Sequence, residues 1–269
     1  MENKLMDFFI GPCVLESEAM AMDIAGRLVE DLAEFKGKIN FHFKGSFDKA
    51  NRSSINSYRG PGIEKGLAIL EKISKTYDIQ TITDFHFPEQ ANEVASVVHT
   101  LQVPAFLCRQ TDMIIAGAEA CKKYDGQLKI KKGQFLSPEE TKNIVDKASN
   151  FLSKDKILLT ERGTSFGYNN LVVDMASFQI MKSFGVRTIH DATHCVQRPG
   201  GLGTSTGGKR EQIFTLAKAA VAAGADGIFM ECHQNPDKAL SDPTTCLPLD
   251  EVQSIVRKLL KLKEVVNEL

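Results

Sequence analysis

Apolar and β-branched residues recur along the chain in short runs. Each run is followed by a longer stretch in which apolar positions return every three or four residues. The runs at 8–11, 40–44, 80–84, 101–104, 128–132, 157–161, 188–191 and 227–231 have the length and composition of strands. Segments such as 63–77, 137–149 and 172–184 have the spacing of helices with one apolar face. A helix start is written in Ser137-Pro138-Glu139-Glu140, with a capping hydroxyl, a proline in the first turn, then acids against the positive end of the helix dipole. Pro88-Glu89 and Pro248-Leu249-Asp250-Glu251 supply two more starts of this kind.

Strand–helix alternation implies parallel strands joined by helical crossovers. Eight such units predict an α/β chain closed into a (β/α)8 TIM barrel, with its chemistry at the carboxyl ends of the strands. The rival architecture, an open doubly wound sheet, usually places a glycine fingerprint after its first strand. Here that turn reads Gly11-Pro12-Cys13 and has no such fingerprint. No linker or shift in composition divides the sequence, so residues 1–269 are expected to form one catalytic domain.

Composition narrows the function. The chain is 42% hydrophobic and 25% charged, with a formal net charge of -1, no Trp and four Tyr. That balance gives no general electrostatic reason to bind nucleic acid or an anionic membrane, and no stock of aromatic rings for base stacking. The opening MENKLMDFFIGPC lacks the apolar core of a signal peptide, and no apolar run is long enough to cross a bilayer, so the cytosol is the expected location. Six cysteines without a Cys-x-x-Cys pair are expected to be reduced there and mostly buried.

Four residues near strand ends form a candidate ligand set for one divalent cation: Cys13, His194, Glu231 and Asp242. A thiolate, an imidazole and two carboxylates suit zinc, iron, manganese or cobalt, without a choice among them. Cys195 and Cys232 adjoin two of these ligands and should face the other way in extended backbone. His190 and His233 stay candidates for contacts behind the cation or to substrate. The second strand runs into Lys44–Ser54, where two lysines, one arginine and three serines fall within eleven residues. Such a loop fits phosphate or carboxylate, although a solvated basic loop has the same composition. Lys131 and Arg162, at two further strand ends, favour the anion site. Lys129 and Lys131 share a face opposite Ile130, and Lys131 lies nearer the carboxyl end, so it is the expected contact. Gly203 to Lys209 mimics a nucleotide-binding loop, but Arg210 stands where Ser or Thr should hold magnesium. A mobile loop over the barrel mouth fits this glycine-rich stretch better.

Longer matches carry a family resemblance over almost the entire sequence. They include Gly11–Ser17, Lys44–Gly62 with Lys49-Ala50-Asn51-Arg52-Ser53-Ser54, Pro104–Asp112, Lys131–Phe135, Glu161–Asp174 and Asp191–His194. Together these resemble the 3-deoxy-D-manno-octulosonate 8-phosphate synthase family, whose members join phosphoenolpyruvate to arabinose 5-phosphate in lipopolysaccharide (KDO) biosynthesis. The related heptulosonate phosphate synthases, which use erythrose 4-phosphate, typically carry Lys-Pro-Arg-Thr where this chain has Lys49-Ala50-Asn51-Arg52. Cysteine at position 13 resembles the metal-requiring class; the metal-independent class has asparagine there.

The resemblance implies roles. Lys44, Ser46, Lys131 and Arg162 would bind phosphoenolpyruvate, and Asn51, Arg52 and Ser53 the phosphate of arabinose 5-phosphate. Lys49 would lie close to the reacting carbons, with His194 and Asp242 also in the catalytic set. Arg109 would act in the site or across a subunit boundary. A homotetramer is implied in the same way. Two other classes compete: a Schiff-base aldolase using Lys44 or Lys131, and a non-catalytic sugar-phosphate sensor.

Overall fold

The computed structural model describes residues 5–200 and 207–268. Eight parallel strands form the barrel: β1 (Met6–Gly11), β2 (Ile39–Lys44), β3 (Gln80–Asp84), β4 (Thr100–Val103), β5 (Gln127–Lys131), β6 (Ile157–Glu161), β7 (Arg187–Asp191) and β8 (Gly227–His233). Each pairs in parallel with the next, and β1 pairs with β8 as well as with β2, which closes the sheet. The (β/α)8 barrel expected from the alternation is therefore the observed fold. All eight strands fall where the short apolar runs predict them.

Eight helices surround the barrel: α1 (Glu18–Leu32), α2 (Ile63–Tyr77), α3 (Ala91–Ala95), α4 (Thr111–Lys123), α5 (Lys142–Ala148), α6 (Ser177–Lys182), α7 (Ile213–Ala222) and α8 (Val252–Glu268). The Ser17 hydroxyl accepts from Met20 N at 3.2 Å and caps α1. Ser137 and Glu140 form a reciprocal capping box, with N–H to side-chain distances of 2.9 and 3.4 Å. The segment behind that box starts as a tight turn (Glu139–Thr141) before becoming α5. The helix expected over 172–184 is shorter than its periodicity implies. Leu171–Val172 pairs antiparallel with Thr164–Ser165, so only Ser177–Lys182 remains helical. A pairing partner from earlier in the chain overrides the local pattern there.

The period of two along each strand builds the interior in layers. Phe9, Ile82, Leu158, Ile189 and Phe229 meet as a fully buried apolar plug inside the barrel. Their sequence neighbours Phe8, Ile10, Leu159, Ile228 and Met230 face the helices instead. Burying a side chain of this size stabilises the fold by roughly 1.5–3 kcal/mol each. Two residues beyond the plug, the inward positions change character: Ile82 gives way to Asp84, Ile189 to Asp191 and Phe229 to Glu231, all buried. The plug is thus the floor on which a polar site rests. Gly11 lets β1 and β2 converge at that level, because a Cβ there would lie 2.0 Å from the Lys44 carbonyl oxygen.

All six cysteines are free and buried. Among the described residues no helix is long and apolar enough to cross a membrane. The glycine-rich stretch expected to cap the mouth is flanked by an antiparallel pair, Gln197–Arg198 with Gly207–Gly208; residues 201–206 lie outside the described residues.

Candidate active site

The first turn after β1 brings Cys13 to the barrel mouth beside the segment that follows β8. The Cys13 Sγ lies 2.9 Å from Ser241 Oγ and 3.4 Å from Asp242 Oδ2. Ligand atoms of Cys13, Glu231 and Asp242 all fall within 4.8 Å of one another. His194 approaches from β7, its Nε2 3.5 Å from Glu231 Oε2 and 3.9 Å from Asp242 Oδ2. Residues separated by more than two hundred positions thus share one small volume.

The chemistry of this group fits a cation. His194 Nδ1 lies 2.9 Å from Asp191 Oδ1, which favours the proton on Nδ1. Nε2 faces the Glu231 and Asp242 carboxylates, a cluster of donor atoms that positive charge placed between them would favour. Burial and the neighbouring Glu231 carboxylate push the Cys13 thiol up, so nothing in the chain alone favours its thiolate. A divalent cation held here would supply that charge and would favour the Cys13 thiolate as a ligand.

Cations at the ends of three strands, β2, β5 and β6, surround this centre. Lys44 is fully buried, and its Nζ donates to the Cys13 carbonyl at 2.6 Å and to Glu231 Oε1 at 2.6 Å. Lys49 Nζ lies 3.9 Å from Asp84 Oδ2 and 3.8 Å from Glu231 Oε1. Lys131 Nζ pairs with Asp191 Oδ2 at 2.8 Å. Burial disfavours the charge on Glu231, yet His194, Lys44 and Lys49 outweigh it and hold the carboxyl below its usual range. Asp84 is held down in the same way by Lys49, Lys44 and Lys131 against its own desolvation. Lys49 shows the reciprocal effect: burial opposes its charge, but the Glu231 and Asp84 carboxylates beside it raise its pKa well above that of an ordinary lysine.

A cavity of about 430 Å³ opens above these groups, lined among others by Lys49, Arg52, Lys131, Arg162, His194 and Asp242. Asn51 and Ser53 also line it. Arg162 is buried, its Nη2 donating to Gln197 Oε1 at 3.0 Å, while its Nη1 has no hydrogen-bond partner among the described residues. Arg52 donates to Ser241 Oγ at 2.8 Å and to the Leu240 carbonyl at 3.0 Å. Lys44 and Ser46 sit beneath the cavity lining, and the Ser46 hydroxyl donates to Asp84 Oδ2 at 2.8 Å. Arg109 is exposed and does not line the cavity of the single chain.

Several residues of this arrangement escape a reading of the sequence. Asp84, Asp191, Gln102 and Ser241 each hold a candidate site residue or its carboxylate partner. Asp84 and Asp191 carry one signal in retrospect, since each stands two positions past an inward-facing isoleucine. His190 faces the helical shell rather than the cavity, its Nε2 3.7 Å from Cys195 Sγ. His233 is buried below the rim, with Nδ1 bonded to the Asn235 backbone and Nε2 3.6 Å from Glu16 Oε1.

The sequence profile described as the DAHP synthetase I family matches residues 2–268. A protein of Francisella tularensis subsp. holarctica named 2-dehydro-3-deoxyphosphooctonate aldolase is 51% identical over 262 residues, covering 97% of this chain and 93% of the relative. Proteins of the same name from Albidiferax ferrireducens and Geobacter sp. are 49% and 48% identical. The first match covers 99% of this chain and 93% of the relative, the second 96% and 92%.

Proposed function

The chain belongs to the DAHP synthetase I family, and on that premise we propose that it condenses phosphoenolpyruvate with D-arabinose 5-phosphate and water. The products are 3-deoxy-D-manno-octulosonate 8-phosphate and inorganic phosphate. Relatives sharing about half their residues with it carry the octulosonate name, which favours this reaction over the heptulosonate one. The Lys49-Ala50-Asn51-Arg52 loop favours it too. The observation that carries the reading is Arg162: a buried guanidinium beside the cavity keeps one nitrogen without a partner among the described residues. Leaving such a donor empty is costly, and an anionic substrate group satisfies it.

Lys131 and Arg162 bind phosphoenolpyruvate, with Lys44 and Ser46 supporting them from below. Asn51, Arg52 and Ser53 take the sugar phosphate at the outer end. These cations hold together two anionic reactants that would otherwise repel, so orientation and charge stabilisation account for much of the rate. The enol carbon then attacks the aldehyde carbon. Water adds at the former enol C2, and phosphate departs by C–O cleavage. Lys49, kept as an ammonium by its carboxylate neighbours, supplies a fixed positive charge near the reacting carbons and is a poor Schiff-base nucleophile. Cys13, His194, Glu231 and Asp242 hold one divalent cation of the zinc, iron, manganese or cobalt kind. When bound, that ion would polarise the aldehyde, position a water or mainly organise the site.

The active species is a homotetramer in the cytosol. Phe106, Phe135 and Phe166, on loops that follow β4, β5 and β6, stay exposed in the single chain and provide apolar area for subunit contacts. Arg109 acts across such a boundary. The deciding assay measures phosphate release from phosphoenolpyruvate with arabinose 5-phosphate and with erythrose 4-phosphate, each with and without a chelator. Turnover should require the five-carbon sugar, stop with chelator and return with added divalent metal. Preference for erythrose 4-phosphate would refute the substrate assignment, and full turnover by rigorously metal-free protein would refute the cation.

A further inference from the structure

One buried lysine has no part in the reaction just described. Lys129, on β5, has no exposed surface and lies one layer below the cavity, its Nζ 4.6 Å from the ring centre of Phe229 and 5.4 Å from that of Phe9. Its Nζ donates to Gln102 Oε1 at 2.8 Å. Burial, reinforced by Lys131, drives its pKa well down. A methionine would fill this position without that desolvation cost. What the lysine adds is a direction of hydrogen bonding.

An amine on lysine beside a carboxamide oxygen orients the amide. With Oε1 committed to Lys129, the Gln102 amide turns its Nε2 toward the next strand, where it donates to Asp84 Oδ1. Strand register makes the row possible: Asp84 stands opposite Gln102, and Gln102 opposite Lys129, across three neighbouring strands. The other oxygen of Asp84 accepts from Ser46 at 2.8 Å and lies 3.9 Å from Lys49 Nζ. Lys49 is therefore held between Asp84 and Glu231, and the position of Asp84 depends on the amide behind it.

We infer that Lys129 is a positioning residue for Lys49, acting through the Gln102 amide and the Asp84 carboxylate. The inference rests on the placement of Lys49 beside the reacting carbons in the proposed reaction. It assigns the second layer of the barrel a function beyond packing: the row sets where the site's central ammonium sits.

Two variants test it. Lys129→Met removes the donor and leaves the plug apolar. Gln102→Glu still accepts from Lys129 but, when ionised, has no hydrogen to donate to Asp84. Each should lower kcat about tenfold while the KM for the sugar phosphate stays within about twofold. In Lys129→Met the melting temperature should hold or rise, because a desolvated amine has gone. A merely structural role would lower melting temperature and kcat together. A crystal structure of Lys129→Met settles the geometry without turnover; it should show Gln102 Nε2 no longer on Asp84. Unchanged kcat in both variants, a parallel loss of melting temperature, or an unmoved Asp84 carboxylate would overturn the inference. Should wild-type protein fail to release phosphate from the proposed substrates, the functional reading falls, while the variant structure still decides the positioning.

Discussion

His190 gives the fold a pH signature separable from the chemistry of the site. Its ring points from β7 into the helical shell, fully buried, edge-on to Phe178 with centroids 5.8 Å apart. Among the described residues Nδ1 has no hydrogen-bond partner. Burial lowers its pKa from 6.5 to about 4, and Asp191 offsets only part of that shift. The unfolded chain keeps the ordinary value, so through the window between them it binds one more proton than the native state. Stability therefore falls as the pH drops through that window, is fully present above it and levels off below about 4. Each pH unit is worth ~1.4 kcal/mol, so going from about pH 7.5 to about pH 5 removes ~2 kcal/mol through this residue. His42 is buried with a lowered pKa as well, and its contribution is common to any variant at position 190. His190→Leu keeps similar volume against Phe178 and does not titrate. Urea unfolding of both proteins at the two pH values, at one protein concentration, isolates the difference. The variant should gain ~2 kcal/mol relative to wild type at the lower pH. Parallel loss of stability in the two proteins would show that His190 takes up its proton in the folded state, and the desolvation argument would fail.

Arg162→Ala should raise the KM for phosphoenolpyruvate by two orders of magnitude or more, the equivalent of about 3 kcal/mol for a desolvated charged contact. Arg162→Lys should recover little of it, since an ammonium cannot replace a planar group that also bonds Gln197; recovery to near wild-type KM in steady-state assays would speak against a need for the guanidinium. Gly11→Ala should prevent normal folding, because its Cβ would overlap the Lys44 carbonyl oxygen, and near wild-type melting would disprove that close approach. Phe229→Ala should cost about 3–5 kcal/mol in chemical denaturation, as its ring closes the plug below Lys44 and Lys131.

Much of this protein is legible one strand at a time. Short apolar runs separated by periodic helices dictate the parallel barrel, because each strand needs a crossover and each helix one apolar face. Strand-end chemistry at Cys13, His194, Glu231, Lys131 and Arg162 follows from the same pattern, since a barrel delivers every strand end to one rim. The helix expected at 172–184 shows the limit of local periodicity: a hairpin with Thr164–Ser165 took its first turn. Asp84, Gln102, Asp191 and Lys129 show a deeper limit. In the sequence they are a strand acid, a glutamine, another acid and one lysine of a pair, residue types that are common at solvated or surface-paired positions. Their importance arises from register, which sets Asp84 against Gln102 and Gln102 against Lys129, and from closure of β1 on β8, which brings Glu231 beside Lys44. The amino-acid order fixed which groups reach the mouth of the barrel. Which of them touch, and therefore which carry charge, was decided only when distant strands paired and water was driven out from between them.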